Sequence, residues 1–565
     1  MMMDVPLTAW LLFANAETVW ADTEIVTQRS RTERHRYRFG DFARRTRALI
    51  SVLDDLAPPE AIVATLAWNS AEHLEAYFAI PLSGRTLHTL NARLADDDLA
   101  WIIDDAGDDL IIASADLVPR LAAIADRLAR LPRIIAIGAP EAAAAQRLGG
   151  VLDYEELVGQ ADPFEGVRTI DEHSRFGICY TSGTTGRPKG VASTHRSTVL
   201  HTALAVNAGN GPALSRGDCV LPVVPMFHVY AWGLPFGAVA AGSKLVFPTP
   251  NLDPSLLIDL IREEAVTKAG GVPTIWIAVA EELERRGGDL GQLRELLCGG
   301  STPPPSLIAT YRDRYGVGML QAWGMTETSP IATTSRLPHA LAHADPGTQL
   351  DWVASAGTPV AGIEVDVVGP DGTSVPHDAA TMGDVYVRGP WVLDGYLHGA
   401  GAEAFVVRPG WFRTGDVGTI APDGRLAIVD RTKDLIKSGG EWISSVKLET
   451  TLMGHPKVVE AAVVAVPHPV WGERPVAAVV LTEGATLDLE EARSWLAEAG
   501  IPRWQLPDAL VQLDAIPRTS VGKFDKKVLR AQLESRASTL STDSAANRPA
   551  SGAEQRSEAL RSPQS

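Results

Sequence analysis

Between Tyr180 and Gly190 the chain reads YTSGTTGRPKG, and no other stretch restricts its possible folds so tightly. A short apolar run leads into three glycines, four aliphatic hydroxyls and one lysine. Gly183, Gly186 and Gly190 let backbone amides approach anionic oxygens, a composition suited to holding a polyphosphate. Thr181, Ser182, Thr184 and Thr185 supply hydroxyl donors or a metal ligand, and Lys189 supplies a point charge. The spacing is not that of a P-loop, because no Gly-Lys-Ser/Thr follows a first glycine at the required distance. The alternative is a Gly/Ser/Thr-rich surface loop.

Further segments follow in order: GGSTPP from Gly299, QAWGMTETSP from Gln321, RTGDVG from Arg413, DRTKDLIKSGGEWISS from Asp430 and PRTSVGKFDKKVLR from Pro517. Together with the first run, this ordered set resembles the adenylate-forming superfamily, which includes acyl-CoA synthetases, luciferases and the adenylation domains of peptide synthetases. The likeness runs from about Pro6 to about Arg530. ATLAWNSAEHLEAYFAIP from Ala64, PMFHVYAWGLPFGA from Pro225 and the KSGGEWISS form narrow it to bacterial medium- and long-chain fatty acyl-CoA synthetases.

The resemblance implies a role for each matching residue. Thr181 to Gly186 and Lys189 would hold the ATP phosphates. Thr184 and Glu327 would ligate Mg2+, for which a carboxylate, a hydroxyl and phosphate oxygens are suitable ligands. Gly300, Gln321, Ala322, Trp323, Gly324 and Thr326 would form the adenine wall. Trp323 replaces the usual tyrosine, so stacking is retained and the phenol's hydrogen bond is lost. Asp416 would accept both ribose hydroxyls, with Arg431 a second ribose or phosphate contact. Lys523 would bridge the α-phosphate and the carboxylate, with Thr184, Glu327 and His228 completing the catalytic set. Lys433 would be the pivot, while Lys437 and Trp442 would touch nucleotide in the closed arrangement. Gly439, Gly440 and Glu441 would line the CoA channel, and Trp232 would gate the acyl tunnel.

Plainer readings stand beside these. Glu327 could be a helix N-terminal carboxylate capped by Thr326, Arg431 a structural ion pair, Gly439–Gly440 a surface turn, and His228 and Trp232 buried structural residues. Lys526 and Lys527 read as a solvated basic face. Tyr230 stands where relatives carry asparagine, and Lys447 where they carry an acid.

At 565 residues more than one core is expected. Alternating strand-like runs (61–66, 110–113, 134–137, 244–247) and helix-like stretches (42–56, 117–131) argue for an α/β fold. That fold is expected as a large N-terminal domain of layered sheets and helices over 1–430. It carries a β-rich subdomain from Val365 to Val387, where short strands alternate with turns such as PDG. A hinge at 431–435 precedes a small mobile α+β domain over 436–533. A helix at 447–453, strands at 458–466 and 476–481, a helix at 489–499 and a strand at 509–513 are expected there. The stretch 534–565, poor in large apolar residues, is expected to remain disordered.

A net charge of -18 argues against nucleic acid as a partner. The three cysteines lack ligand spacing and read as reduced core residues of a cytoplasmic protein. No apolar run is long enough to span a bilayer, though peripheral membrane contact stays open. Leu7 to Ala14 reads as an amphipathic helix rather than a leader.

The expected activity is ATP-dependent joining of a fatty acid to CoA through an acyl-adenylate, releasing AMP and pyrophosphate. The rivals are a fatty acyl-AMP ligase that delivers to a carrier protein and a non-catalytic nucleotide- or acyl-binding protein. Close relatives form dimers through the N-terminal region, so a homodimer is implied.

Overall fold

The computed structural model describes residues 2–181, 187–439, 441–519 and 523–533. Ser182, Gly183, Thr184, Thr185, Gly186, Gly440 and the stretch 534–565 lie outside the described residues. Among the described residues the strands form four sheets. The large N-terminal domain carries three of them and the small C-terminal domain one.

The first sheet is seven-stranded, in the order Leu152–Asp153, Arg133–Ile137, Leu110–Ser114, Ile62–Leu66, Thr86–Thr89, Arg175–Tyr180, Gly190–Thr194. Every neighbour pair is parallel except the last. Strands such as LIIAS are apolar on both faces because helices cover both sides of a parallel sheet. The second sheet has nine strands, with Cys219–Pro222, Lys268–Gly271, Glu295–Cys298 and Gly318–Gly324 side by side and parallel. Their carboxyl ends all open on the same edge, where open α/β sheets bind ligands. A core of aromatic residues including Phe13, Phe42, Phe78, Phe176 and Phe236 joins the two layers.

The β-rich subdomain is a four-stranded antiparallel sheet of Glu364–Val368, Gly383–Arg388, Phe412–Ile420 and Leu426–Arg431. The small domain begins with the hairpin Ile436–Ser438 and Glu441–Ile443. The hairpin joins the long pair Val458–His468 and Gly472–Leu481, beside which Ala509–Gln512 runs parallel. Helices Ser445–Leu452 and Leu489–Glu498 cover that sheet.

The expected helix over 117–131 is shorter than its apolar spacing suggests. Val118–Ile124 is α-helical, a 3-10 turn follows at Ala125–Arg127, and the chain is non-helical from Leu128. Pro132 forces Leu131 toward extended backbone and starts the next strand. The N-terminal helix is Ala9–Glu17, with Trp10, Leu12, Phe13 and Ala16 buried and Leu11 exposed. Among the described residues no helix is long and apolar enough to cross a membrane. All three cysteines are buried, and burial pushes the thiols of Cys179 and Cys219 up to about 11 and about 12.

Candidate active site

Four loops converge at the carboxyl edge of the nine-stranded sheet. Behind Cys219–Pro222 comes the segment bearing His228 and Trp232, behind Lys268–Gly271 comes Val272, behind Glu295–Cys298 come Gly299 and Gly300, and Gly318–Gly324 ends in the QAWG run. A cavity of about 340 Å³ lies against the first three of them, lined by Arg93, His228, Trp232, Val272, Ile275 and Gly300 of the large domain and by Arg518 and Lys523 of the small one. Sequence reasoning brought His228, Trp232, Gly300 and Lys523 forward from separate motifs, and the fold gathers all four.

Gly300 has φ +84, and a Cβ there would lie 3.1 Å from Val272 Cγ1 and 3.5 Å from Lys523 Cε. The lysine stem therefore runs directly over a residue that must lack a side chain. Enclosure pushes the Lys523 ammonium down to about 8, with Arg431 adding repulsion and Asp416 and Glu327 opposing it. Burial, and then the nearby Lys523, push the His228 imidazole down to about 3, so it is neutral at pH 7.

Trp232 closes one wall, its ring tip 3.4 Å from where a Gly299 Cβ would stand. It sits on an unusual backbone: Val229, Tyr230, Ala231 and Trp232 all have φ between 43 and 60. Left-handed conformation costs about 1–2 kcal/mol per non-glycine residue. Packing holds this turn in place, with Tyr230 buried against Tyr77, Phe176 and Phe236 and its hydroxyl 3.3 Å from Ser193 Oγ. The asparagine-to-tyrosine departure thus fills core.

Asp416 lies beside the cavity at 2 % exposure. Arg431 Nε donates to its Oδ1 at 2.7 Å and Trp323 Nε1 to its Oδ2 at 3.0 Å. Burial raises the Asp416 carboxyl above its ordinary value, with Arg431 opposing. Trp323 has no phenol to offer, as expected, but its indole N–H makes a hydrogen bond of its own to Asp416. Arg431 does form the ion pair that was its plainer reading, and each Asp416 oxygen keeps acceptor capacity for a ligand hydroxyl.

Glu327 sits in a one-turn 3-10 segment, Thr326–Thr328, whose preceding residue is Met325; the Thr328 hydroxyl, not that of Thr326, receives the Met325 N–H at 3.0 Å. Capping by Thr326 therefore does not account for it. Its Oε1 accepts a hydrogen bond from Tyr396 Oη at 2.6 Å. Thr326 is buried, and Gly324 leaves no room for a side chain beside the Pro330 carbonyl. The Gln321 amide, with its nitrogen facing Ala354 and Ser355, reaches their carbonyls at 3.1 and 3.2 Å. Ala322 lies on the same strand. The flanks of the glycine-rich loop are tied, Thr181 N–H to the Lys189 carbonyl at 2.9 Å and Lys189 N–H to Thr181 Oγ1 at 3.2 Å. The Lys189 ammonium lies over the Tyr396 ring at 5.0 Å.

Other residues stand apart. Lys437 lies over the Trp442 ring at 4.6 Å, and Lys437, Glu441 and Trp442 are exposed. Gly439, at φ +62, packs where Trp471 would meet a Cβ at 2.9 Å. Lys433 is close enough to Lys523 to lower its basicity.

Lys526 overturns the reading of a solvated face. Its side chain is 14 % exposed and pairs with Glu449 at 2.7 Å. It also donates to Ser445 Oγ at 2.6 Å, and Ser445 N–H donates to Asp430 Oδ2 at 2.6 Å. Lys527 is exposed as expected. Arg93 and Tyr396 went unnoticed in the sequence, because nothing in their local pattern separates them from surface residues, and Arg518, though inside the segment that begins at Pro517, was given no role there.

Residues 13–397 match the AMP-binding enzyme family and residues 447–523 the AMP-binding enzyme C-terminal domain. A long-chain-fatty-acid–CoA ligase of Thermus thermophilus is 44% identical, over 94% of this chain and 96% of its own. A medium-chain-fatty-acid–CoA ligase of Ectopseudomonas oleovorans is 38% identical, over 94% and 96%. Among solved structures, an anthranilate CoA ligase in complex with anthranoyl-AMP shares the fold, with TM-score 0.82, 22% identity and coverage of 95% of this chain and 99% of that one.

Proposed function

This chain belongs to the AMP-binding enzyme family, and on that premise we propose that it is an ATP-dependent fatty acid:CoA ligase. The observation that carries the reading is the arrival of Lys523, from the small domain, in a cavity of the large domain beside Asp416 and His228. A carboxylate and a triphosphate repel each other, and a cation fixed between them lowers the barrier to their reaction. In the first half-reaction the carboxylate oxygen bonds to the α-phosphorus and the bond to the β-phosphate oxygen breaks, releasing pyrophosphate. CoA thiolate then attacks the acyl carbon and AMP leaves.

Asp416 and Arg431 are assigned to the ribose, Trp323 with Gly300, Gln321, Ala322, Gly324 and Thr326 to the adenine wall, and Lys189 with the 181–186 loop to the phosphates. Lys433 serves as pivot in a hinge at 431–435 between the domains 1–430 and 436–533. Lys437 and Trp442 are assigned to the nucleotide, Gly439, Gly440 and Glu441 to the CoA channel, and Trp232 to the acyl gate. The apolar lining of the cavity, which includes Val272 and Ile275, supports an aliphatic acid.

Mg2+ fits the residues present. Among the described residues no cluster of three or more His, Cys, Asp or Glu forms a metal cage, and Glu327 is a single carboxylate. That suits an ion arriving with substrate phosphates. Glu327 and Thr184 would hold it, and when bound it neutralises triphosphate charge. Buried reduced cysteines support a cytoplasmic setting. Exposed Met2, Met3, Val5, Leu11 and Val19 near the N-terminus support a homodimer through that region.

The test measures AMP release from ATP with fatty acids from short to long chain, with and without CoA. Thioester and AMP in equal amounts, both requiring CoA for turnover, are expected. Accumulation of acyl-adenylate with no CoA effect would identify an acyl-AMP ligase, and no acid-dependent AMP would leave only a binding protein.

A further inference from the structure

Tyr396 lies in a loop that no sequence motif singled out, yet it joins two motifs that the chain keeps far apart. Its hydroxyl donates to Glu327 Oε1 at 2.6 Å and its ring face carries the Lys189 ammonium at 5.0 Å. The ring itself is held edge-on by Phe405 and Phe412, at 6.2 and 6.5 Å between centroids. Its loop is tied on both sides. Leu393 N–H donates to the Glu327 carbonyl at 2.9 Å, and His398 Nε2 meets the Asp105 carbonyl at 3.0 Å. Leu397 packs so closely on Gly190 that a Cβ there would clash at 2.5 Å.

A carboxylate on a one-turn segment has several rotamers, and an ammonium on a four-carbon stem has more. A hydrogen bond to one carboxylate oxygen selects the rotamer while leaving the other oxygen free. The ring face restricts the lysine, whose ammonium also lies 3.6 Å from the exposed Glu403 carboxylate. We propose that Tyr396 is a positioning residue for the adenylation step, orienting the Glu327 carboxylate for the metal ion that accompanies ATP and holding Lys189 in register with it. This rests on the assignment of Glu327 and Lys189 made above.

The experiment is equilibrium binding of ATP by calorimetry, without fatty acid, across a Mg2+ titration. It uses the full-length protein, Tyr396→Phe, Glu327→Gln and the double variant, each first checked for an unchanged melting temperature. Phenylalanine keeps the ring and its packing, so only the hydrogen bond is removed. Loss of an outer-shell partner typically weakens a metal site about 10–100-fold, and Tyr396→Phe is expected to raise the half-saturating Mg2+ about tenfold. At saturating Mg2+ the rate of pyrophosphate exchange should return to that of the parent. In the Glu327→Gln background the same substitution should add nothing. Tyr396→Leu should weaken ATP binding a further threefold or so by releasing Lys189. A Tyr396→Phe protein with unaltered Mg2+ dependence overturns the proposal, as does an equal increment with and without Glu327. If Glu327→Gln itself leaves Mg2+ dependence untouched, the metal assignment of Glu327 falls and this inference with it.

Discussion

Raising the pH tests the central lysine. Lys523 is held near 8, against an ordinary lysine value of 10.5. At about 1.36 kcal/mol per pH unit this is roughly 3 kcal/mol of disfavour for its charged form. The folded value lies below the unfolded one, so the penalty is fully present below about pH 8 and fades between pH 8 and 10.5. Anionic substrates remove the same penalty by giving the ammonium a partner. In the ligand-free enzyme the proton is therefore lost within an accessible range, and kcat/KM for ATP reports that free-enzyme titration. At limiting ATP, fatty-acid-dependent ATP–pyrophosphate exchange without CoA should fall about tenfold per pH unit above 8. Lys523→Arg should abolish that alkaline limb, because a guanidinium stays charged, even if its absolute rate is lower. Lys523→Ala should lower exchange by about 10²–10³-fold, the usual cost of removing one transition-state electrostatic contact. Thioester formation from supplied acyl-adenylate should survive. A flat profile to pH 10, or a limb that persists in the arginine variant, would refute the assignment of that proton to Lys523.

Three further outcomes are expected. Trp323→Phe keeps an aromatic face but loses the bond to Asp416 (3.0 Å); with hydrogen bonds to charged groups worth about 1.5–3 kcal/mol, KM for ATP should rise about tenfold with kcat little changed, and an unaltered KM would show the bond idle. Gly300→Ala meets both φ +84 and the Val272 contact; about 1–2 kcal/mol of backbone cost and displacement of Lys523 should depress pyrophosphate exchange, and a wild-type rate would contradict the geometry. Lys526→Met leaves the Glu449 carboxyl, already raised to about 7 by burial, without its cation, so about 3–5 kcal/mol of stability should be lost in thermal melts. Lys527→Ala should change little, and equal effects at the two positions would restore the solvated-face reading for both.

Much of the architecture is legible in the amino-acid sequence. Apolar runs of four to six residues followed by helical spacing define parallel layers, because each element signals its own burial through local period. The strands at 62–66, 110–114, 133–137 and 244–247 fall where those runs lie. Motifs such as GGSTPP and QAWGMTETSP were legible for the same local reason, each being one loop at one strand end.

Contacts between distant segments were not legible. Tyr396 meets Glu327 across 69 residues and Trp323 meets Asp416 across 93, and neither pair leaves a trace in its own neighbourhood. Lys526 and Lys527 are adjacent and chemically identical, yet one is buried on Glu449 and the other faces water. Only the direction of a helix face against a neighbouring carboxylate separates them. The left-handed turn from Val229 to Trp232 contradicts local preference altogether, and it persists because the aromatic core around Tyr230 outweighs the backbone cost. Local period and composition thus determined which elements form and in what order. The tertiary structure decided which charges are buried, which aromatic rings carry them, and where the small domain's lysine enters the large domain, because those energies exist only between parts of the chain that folding brings together.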